Sequence, residues 1–157
     1  MQAFWLVLVG VVMLAAAAGP VMVDRVEGSL RYEASIPKRT FAPGEFVATT
    51  VTVRNVGSAT VSMTFTSGQR YDLIARRPRG DEVWRWSHDK AFIQVIQTIT
   101  LKPQESLPPF RDGWDQRDLQ GRRVDPGSYE MVAVFMGSVS GGPREVQLPA
   151  IPFTIGR

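Results

Sequence analysis

The sequence predicts an all-β protein, an immunoglobulin-like antiparallel β-sandwich preceded by an N-terminal signal or anchor helix. Three observations carry that expectation. Short runs alternate apolar and polar residues with period two, as half-buried strands do. Fourteen glycines and eleven prolines punctuate a chain of 157 residues, so elements must be short. After residue 25 no stretch combines an amphipathic helical period with capping residues.

The first element is an unbroken apolar run, Phe4 to Ala18, closing in Ala15-Ala16-Ala17-Ala18-Gly19-Pro20. Small residues after an apolar core fit a secretory signal, and Ala16-Ala17-Ala18 matches the cleavage pattern. No Lys or Arg precedes the run, and with Gly19 to Val23 added it reaches the length of a bilayer span. The expected organisation is therefore a signal peptide over 1–18, or an uncleaved anchor to about 23, followed by one sandwich domain over 24–157. Both alternatives place the domain outside the cytoplasm: secreted, periplasmic, or membrane-anchored and facing outward.

Leu30–Ser35 is the first strand expected beyond it. Val47, Thr49, Val51 and Val53 then form one stripe, and Val61, Met63 and Phe65 form another, opposite Thr60, Ser62, Thr64 and Thr66. Asn55-Val56-Gly57-Ser58 lies between them, so the pair reads as a hairpin. Further strands are expected at Arg70–Arg76, Val83–Ser87, Gln94–Leu101, Ser128–Met136 and Glu145–Ile155. Pro149 and Pro152 make the last an edge strand or two short pieces. Arg111–Asp125 is the longest segment with no strand pattern and reads as a loop. Pro126-Gly127-Ser128-Tyr129 places a tyrosine as in a tyrosine corner, and a ring from Trp84 or Trp86 is expected to fill the centre of the sandwich. Trp84 and Trp86 are two apart, so in a strand both point to one face and Arg85 to the other.

Composition narrows the function classes. The absence of cysteine removes disulfides, thiol chemistry and thiolate metal sites. Net charge is +3, but the arginines are scattered among fifteen carboxylates, which argues against a nucleic-acid footprint. Ser87-His88-Asp89 supplies the residue types of a hydrolase relay, yet consecutive side chains in a strand diverge. Asp112, Asp115 and Asp118 recur at spacing three without the turn glycine and closing Glu of an EF-type calcium loop. No catalytic, metal or cofactor-binding residue is assigned, and the chain reads as non-enzymatic.

Binding remains. Arg76, Arg77 and Arg79 lie in a basic turn that reads equally as a solvated hairpin tip. Arg117, Arg122 and Arg123 cluster in the long loop. Trp114 in the same loop either folds onto the sandwich or contacts a partner, since Trp and Arg are frequent binding anchors.

Several segments occur in a recognisable order: Ser-Gly-Gln-Arg-Tyr-Asp-Leu (67–73), Glu-Val-Trp-Arg-Trp-Ser-His-Asp-Lys-Ala-Phe (82–92), Leu-Lys-Pro-Gln-Glu (101–105), Trp114-Asp115 and Pro-Gly-Ser-Tyr (126–129). Together they resemble the BsuPI-type intracellular proteinase inhibitor domain of bacteria. The resemblance spans roughly Glu45 to Val134 and differs at Gln104, where the family commonly has glycine. It implies an immunoglobulin-like sandwich and inhibition of subtilisin-like serine proteinases, with no reactive residue carried over. The expected partner is thus a serine proteinase, or otherwise an envelope or extracellular protein bound by an interaction module without inhibitory activity. A membrane enters only if the N-terminal helix is retained.

Overall fold

Alternating side chains decide which face of each strand is buried, and the computed structural model describes residues 19–157. The apolar run from Phe4 to Ala18, expected to be a signal or anchor helix, lies outside the described residues. Thirteen strands follow among the described residues: β1 (Val21–Glu27), β2 (Leu30–Ile36), β3 (Thr40–Phe41), β4 (Val47–Asn55), β5 (Val61–Phe65), β6 (Tyr71–Arg76), β7 (Glu82–Arg85), β8 (Gln97–Leu101), β9 (Phe110–Trp114), β10 (Gly127–Phe135), β11 (Ser138–Val139), β12 (Val146–Gln147) and β13 (Ile151–Ile155). No helix occurs among the described residues. Val21, Met22 and Val23 pair with Ile36, Ser35 and Ala34, so the residues that would have lengthened an anchor are a strand.

The strands form three sheets, ordered β1-β2-β4-β9, β3-β13-β10-β6-β7 with β12 also on β10, and β11-β5-β8. All ladders are antiparallel except the short parallel contact of β3 with β13. This all-β arrangement is consistent with an immunoglobulin-like sandwich. In β2 the residues Leu30, Tyr32, Ala34 and Ile36 turn inward, and in β4 Val47, Thr49, Val51 and Val53 do the same. They meet the inner residues of β10, where Tyr32 and Phe135 lie 5.2 Å apart. The third sheet adds Met63, Phe65 and Leu101 to the same core. Tyr129 Oη donates to Asp125 O at 2.6 Å, which is the tyrosine-corner bond the sequence led us to expect.

Two expectations are corrected. The stripes at 47–53 and 61–65 do not form a hairpin: β4 pairs with β2 and β9, whereas β5 pairs with β8 and β11. The cause is Asn55, which is fully buried and does not simply open a turn. Its Nδ2 donates to Ala59 O (2.8 Å) and Leu101 O (3.0 Å), and its Oδ1 accepts from Gly57 N (3.0 Å). These bonds carry the chain across from one sheet to the other. A Cβ on Gly57 would stand 2.6 Å from Ser29 Cβ, so the crossing needs glycine there. The second correction concerns 111–125, whose first residues are β9, paired with β4 from Val47↔Trp114 to Val51↔Phe110. Gly113 and two charged residues hide that strand's period.

The C-terminal strand divides in two, as its prolines predict. Pro149 falls between β12 and β13. Pro152 lies within β13 but before Thr154, where β3 begins to pair, so its missing N–H faces no ladder.

Gln104 has φ 67°, the left-handed region that favours glycine. The turn keeps this backbone because Gln104 N donates to Asn55 O (2.8 Å) and Glu105 N to Lys102 O (3.0 Å). The side chain offsets part of the strain, its Oε1 accepting from Arg54 at 2.9 Å. Gln104→Gly is expected to raise unfolding stability by about 0.5–1 kcal/mol in chemical denaturation; a loss of stability would show that the Arg54 bond outweighs the strain.

Candidate functional site

Asp72 is a carboxylate near the start of β6, on the face opposite Leu73 and Ala75, yet only 3% exposed. A buried charge requires partners, and the first half of the Trp-rich segment supplies them. Ser87 donates from its backbone N (3.1 Å, to Oδ1) and from Oγ (2.6 Å, to Oδ2). Arg85 Nη1 donates to Oδ2 at 2.9 Å and spans to Glu82 with its other nitrogens. Ser87 Oγ is therefore committed to Asp72 and forms no relay with His88. The link continues in the backbone, where Trp86 N donates to Leu73 O at 2.9 Å.

On the other face the two rings lie against the core, as their spacing of two requires. Trp86 stacks on Tyr71 with centroids 4.5 Å apart, and Trp84 lies 6.2 Å from Trp114. Trp86 Nε1 and Tyr71 Oη both donate to Asp112 Oδ2 in β9, so one carboxylate ties the motif to the facing sheet. Burial, and then the neighbouring Asp112, push the Tyr71 hydroxyl well above its ordinary value and keep it a donor.

Of the two alternatives for Trp114, folding onto the sandwich or contacting a partner, the structure takes the first and makes it the central ring. It is 0% exposed, packs edge-on against Tyr129 at 5.4 Å, and donates from Nε1 to Arg117 O at 2.6 Å. Trp84 and Trp86, expected to fill that place, are only half-buried at its margin. Strand position does not separate them, since β9 and β7 are each last in their sheets; Trp114, opposite the buried Val47, turns its ring onto Tyr129 and Phe153, whereas Trp84 packs on Trp114 from outside.

The chain after Trp114 is a small preformed loop. Gln116 is 1% exposed with φ 61°; its Nε2 donates to Ala42 O (2.9 Å) and Glu45 O (2.8 Å), and its Oε1 accepts from Gly44 N (2.6 Å). Asp118 Oδ1 accepts the backbone N–H groups of Gln120 and Arg122, both at 2.9 Å, and Arg122 Nε donates to its Oδ2, also at 2.9 Å. Leu119 N donates to Val83 O at 3.1 Å and fastens the loop to β7.

The predicted arginines divide by this geometry. Arg77, Arg122 and Arg123 border one shallow depression together with Tyr129, over which the Arg77 guanidinium sits at 4.0 Å. Arg117 borders the adjoining depression with Arg85 and His88, and its Nη1 donates to Gly121 O at 2.7 Å. Arg123 Nη1 donates to Asp115 O at 2.8 Å. Arg76 turns away to Glu130 at 2.8 Å, and Arg79, at the turn with φ 51°, borders neither depression. Among the described residues no group of three or more His, Asp or Glu side chains is placed to hold a metal.

Sequence reasoning did not single out Asp72 or Gln116, and weighed Asp112 only as one of three spaced aspartates. An aspartate beside Leu73 in an apolar strand is a readable signal for a buried carboxylate; Gln116 carries no such signal. The strand expected over Gln94–Leu101 begins only at Gln97: Ala91–Ile96 joins no ladder and turns two isoleucines to solvent.

Asp72→Ala is expected to lower stability by about 3 kcal/mol in denaturant unfolding, the low end for a broken buried pair, because Arg85 still reaches Glu82 and water. Asp118 gives a pH prediction. Backbone N–H donation from Arg122, with lesser help from its guanidinium, holds the Asp118 carboxyl below its ordinary range. A carboxyl depressed by folding stabilises the loop fully above its unfolded pKa and loses that effect as pH falls through the folded value. Amide protection at Gln120 and Arg122, taken relative to the intrinsic exchange rate at each pH, should stay high at neutral pH and fall only below the usual carboxylate range. Asp118→Asn should remove the pH dependence.

Known proteins place this geometry. The family model described as intracellular proteinase inhibitor (BsuPI) matches residues 32–139, which hold both signature segments, Trp114 and the loop after it. No curated protein matches the chain. Among solved structures, a β-glucosidase from Erythrobacter marinus is 20% identical, with 82% of this chain and 15% of that one covered and a TM-score of 0.46. Spo0M, a sporulation control protein from Bacillus subtilis, is 18% identical over 83% of this chain and 51% of that one, with a TM-score of 0.45. A CARDB domain from Pyrococcus furiosus, in complex with di-metal ions, is 13% identical over 88% and 90%, with a TM-score of 0.43. The family model spans most of the described strands, and on that match the chain belongs to the BsuPI intracellular proteinase inhibitor family.

Proposed function

We propose that this protein is a non-enzymatic proteinase inhibitor that acts outside the cytoplasm and blocks a subtilisin-like serine proteinase through a surface loop of an immunoglobulin-like domain over 24–157. The family match over 32–139 is the observation that carries this reading. The location rests on the apolar run over 4–18 and its small-residue end.

Physics supports the loop part of the reading. A proteinase cleft binds an extended chain by strand pairing, with pockets for side chains. An inhibitor gains affinity when its loop is ordered before binding, because little conformational entropy is then lost. The loop after Trp114 is ordered in this way by Gln116, Asp118 and the bond from Trp114 to Arg117 O. Its Arg117 and Arg122 pair with Asp115 and Asp118, so among the described residues Arg123 and the neighbouring Arg77 supply the charge of a cationic end suited to an acidic partner surface. Arg76 and Arg79 stand outside that cluster.

Titrating the purified mature domain against subtilisin-like and trypsin-like proteinases tests the proposal. Stoichiometric loss of subtilisin-like activity, with the domain recovered intact, is the expected result. No inhibition at micromolar excess, or rapid digestion of the domain, would overturn it and leave an interaction module recognising an envelope or extracellular protein.

A further inference from the structure

Ala91–Ile96 runs from the Trp-rich segment to β8 without joining any ladder. It is nevertheless fixed at both ends. The Phe92 ring lies 5.7 Å from Trp86, and Ile93 O accepts from Gly68 N at 2.9 Å. A Cβ on Gly68 would stand 3.2 Å from Ile93 Cγ1, so the glycine of the Ser-Gly-Gln segment is what lets this chain lie so close. At the far end the Gln97 side chain accepts from Arg70 as β8 begins.

Between these anchors the side chains sort by direction. Phe92 and Val95 are half-buried against the domain, whereas Ile93 and Ile96 are 73% and 75% exposed, more than any other large apolar residue described. Two outward isoleucines on a fixed, uncharged backbone form a surface made to be covered. The segment leads into β8, which pairs only with β5 and leaves its other edge open. A segment that joins no ladder, holds two apolar side chains three residues apart in solvent and runs into the open edge of β8 offers a cleft with apolar pockets both anchors and an adjacent strand edge. The cations flanking the segment are engaged elsewhere: Lys90 lies over Trp86 at 4.7 Å and Arg70 is bonded to Gln97.

We infer that Ala91–Ile96 is the segment this domain lays into the proteinase cleft, with Ile93 and Ile96 filling apolar specificity pockets. The inference rests on the inhibitor reading and names the target class: an endoproteinase whose pockets select apolar side chains, not one with a carboxylate-floored pocket. The cationic end then serves as an outer contact.

The test measures inhibition constants of the full mature domain, Ile93→Asp, Ile96→Asp and the conservative Ile93→Leu against a subtilisin-like and a trypsin-like proteinase. Thermal melts report folding, which the exposed positions should leave unchanged. Each Asp variant is expected to weaken inhibition about 10- to 100-fold, the effect of losing one buried isoleucine contact, while Ile93→Leu stays within about threefold of the parent. Amide exchange at 91–96 should slow in the complex. If the parent domain inhibits and both Asp variants inhibit equally well, this segment is not the contact and the inhibitor reading stands. If the parent domain inhibits only a trypsin-like enzyme, the apolar-pocket assignment is overturned. If it inhibits neither enzyme, both readings fall.

Discussion

The buried carboxylate of Asp72 is the constraint on which the rest of this fold leans. It sits in β6, between β10 and the edge strand β7, and collects four donors, two from Ser87, one from Arg85 and one from the neighbouring Leu73 N. Those bonds fix where β7 ends and how the chain leaves it. Trp86 is thereby placed over Tyr71, and Phe92 over Trp86. The consequence reaches the surface, because the path of Ala91–Ile96 follows from where Phe92 is held.

Two buried amides act in the same manner elsewhere. Asn55 joins the end of β4 to the start of the third sheet, and Gln116 joins the loop after β9 to the turn at Ala42–Glu45. Each satisfies backbone groups that lie between strands and that no ladder reaches. No buried side-chain nitrogen or oxygen among the described residues lacks a hydrogen-bond partner. Such networks set one arrangement apart from its competitors, since a shifted register would strand several polar groups at once. This suits a protein without cysteine, in which cohesion must come from packing and hydrogen bonding.

The division between core and contact surface follows. Of the tryptophans in the matched region, Trp114 is fully inside and Trp84 and Trp86 are at the margin, so the aromatic signature of the family is architectural. What faces solvent is a cationic end at Arg77, Arg117, Arg122 and Arg123 and an apolar segment at Ile93 and Ile96. Both are loops held by the core motif, which makes them rigid without making them part of it.

Local periodicity was enough to read most of the fold. The stripes of β2, β4, β5 and β10 are visible as alternation because each has one face in the core, and the split at Pro149 and the Tyr129 corner follow from the chemistry of single residues. The family was legible too, since its motifs are contiguous. Pairing was not: β4 and β5 look like a hairpin until the side chain of Asn55 bonds beyond its own turn, to Leu101 O. β9 was hidden because its glycine and charges break the pattern, and Trp114 looked like a loop residue for the same reason. Which rings are buried, which arginines meet, and which apolar residues are left outside depend on contacts between positions far apart in the chain. Short-range pattern determined where strands form; only tertiary packing, which brings Asp72 to Ser87 and Gly68 to Ile93, decided what they expose.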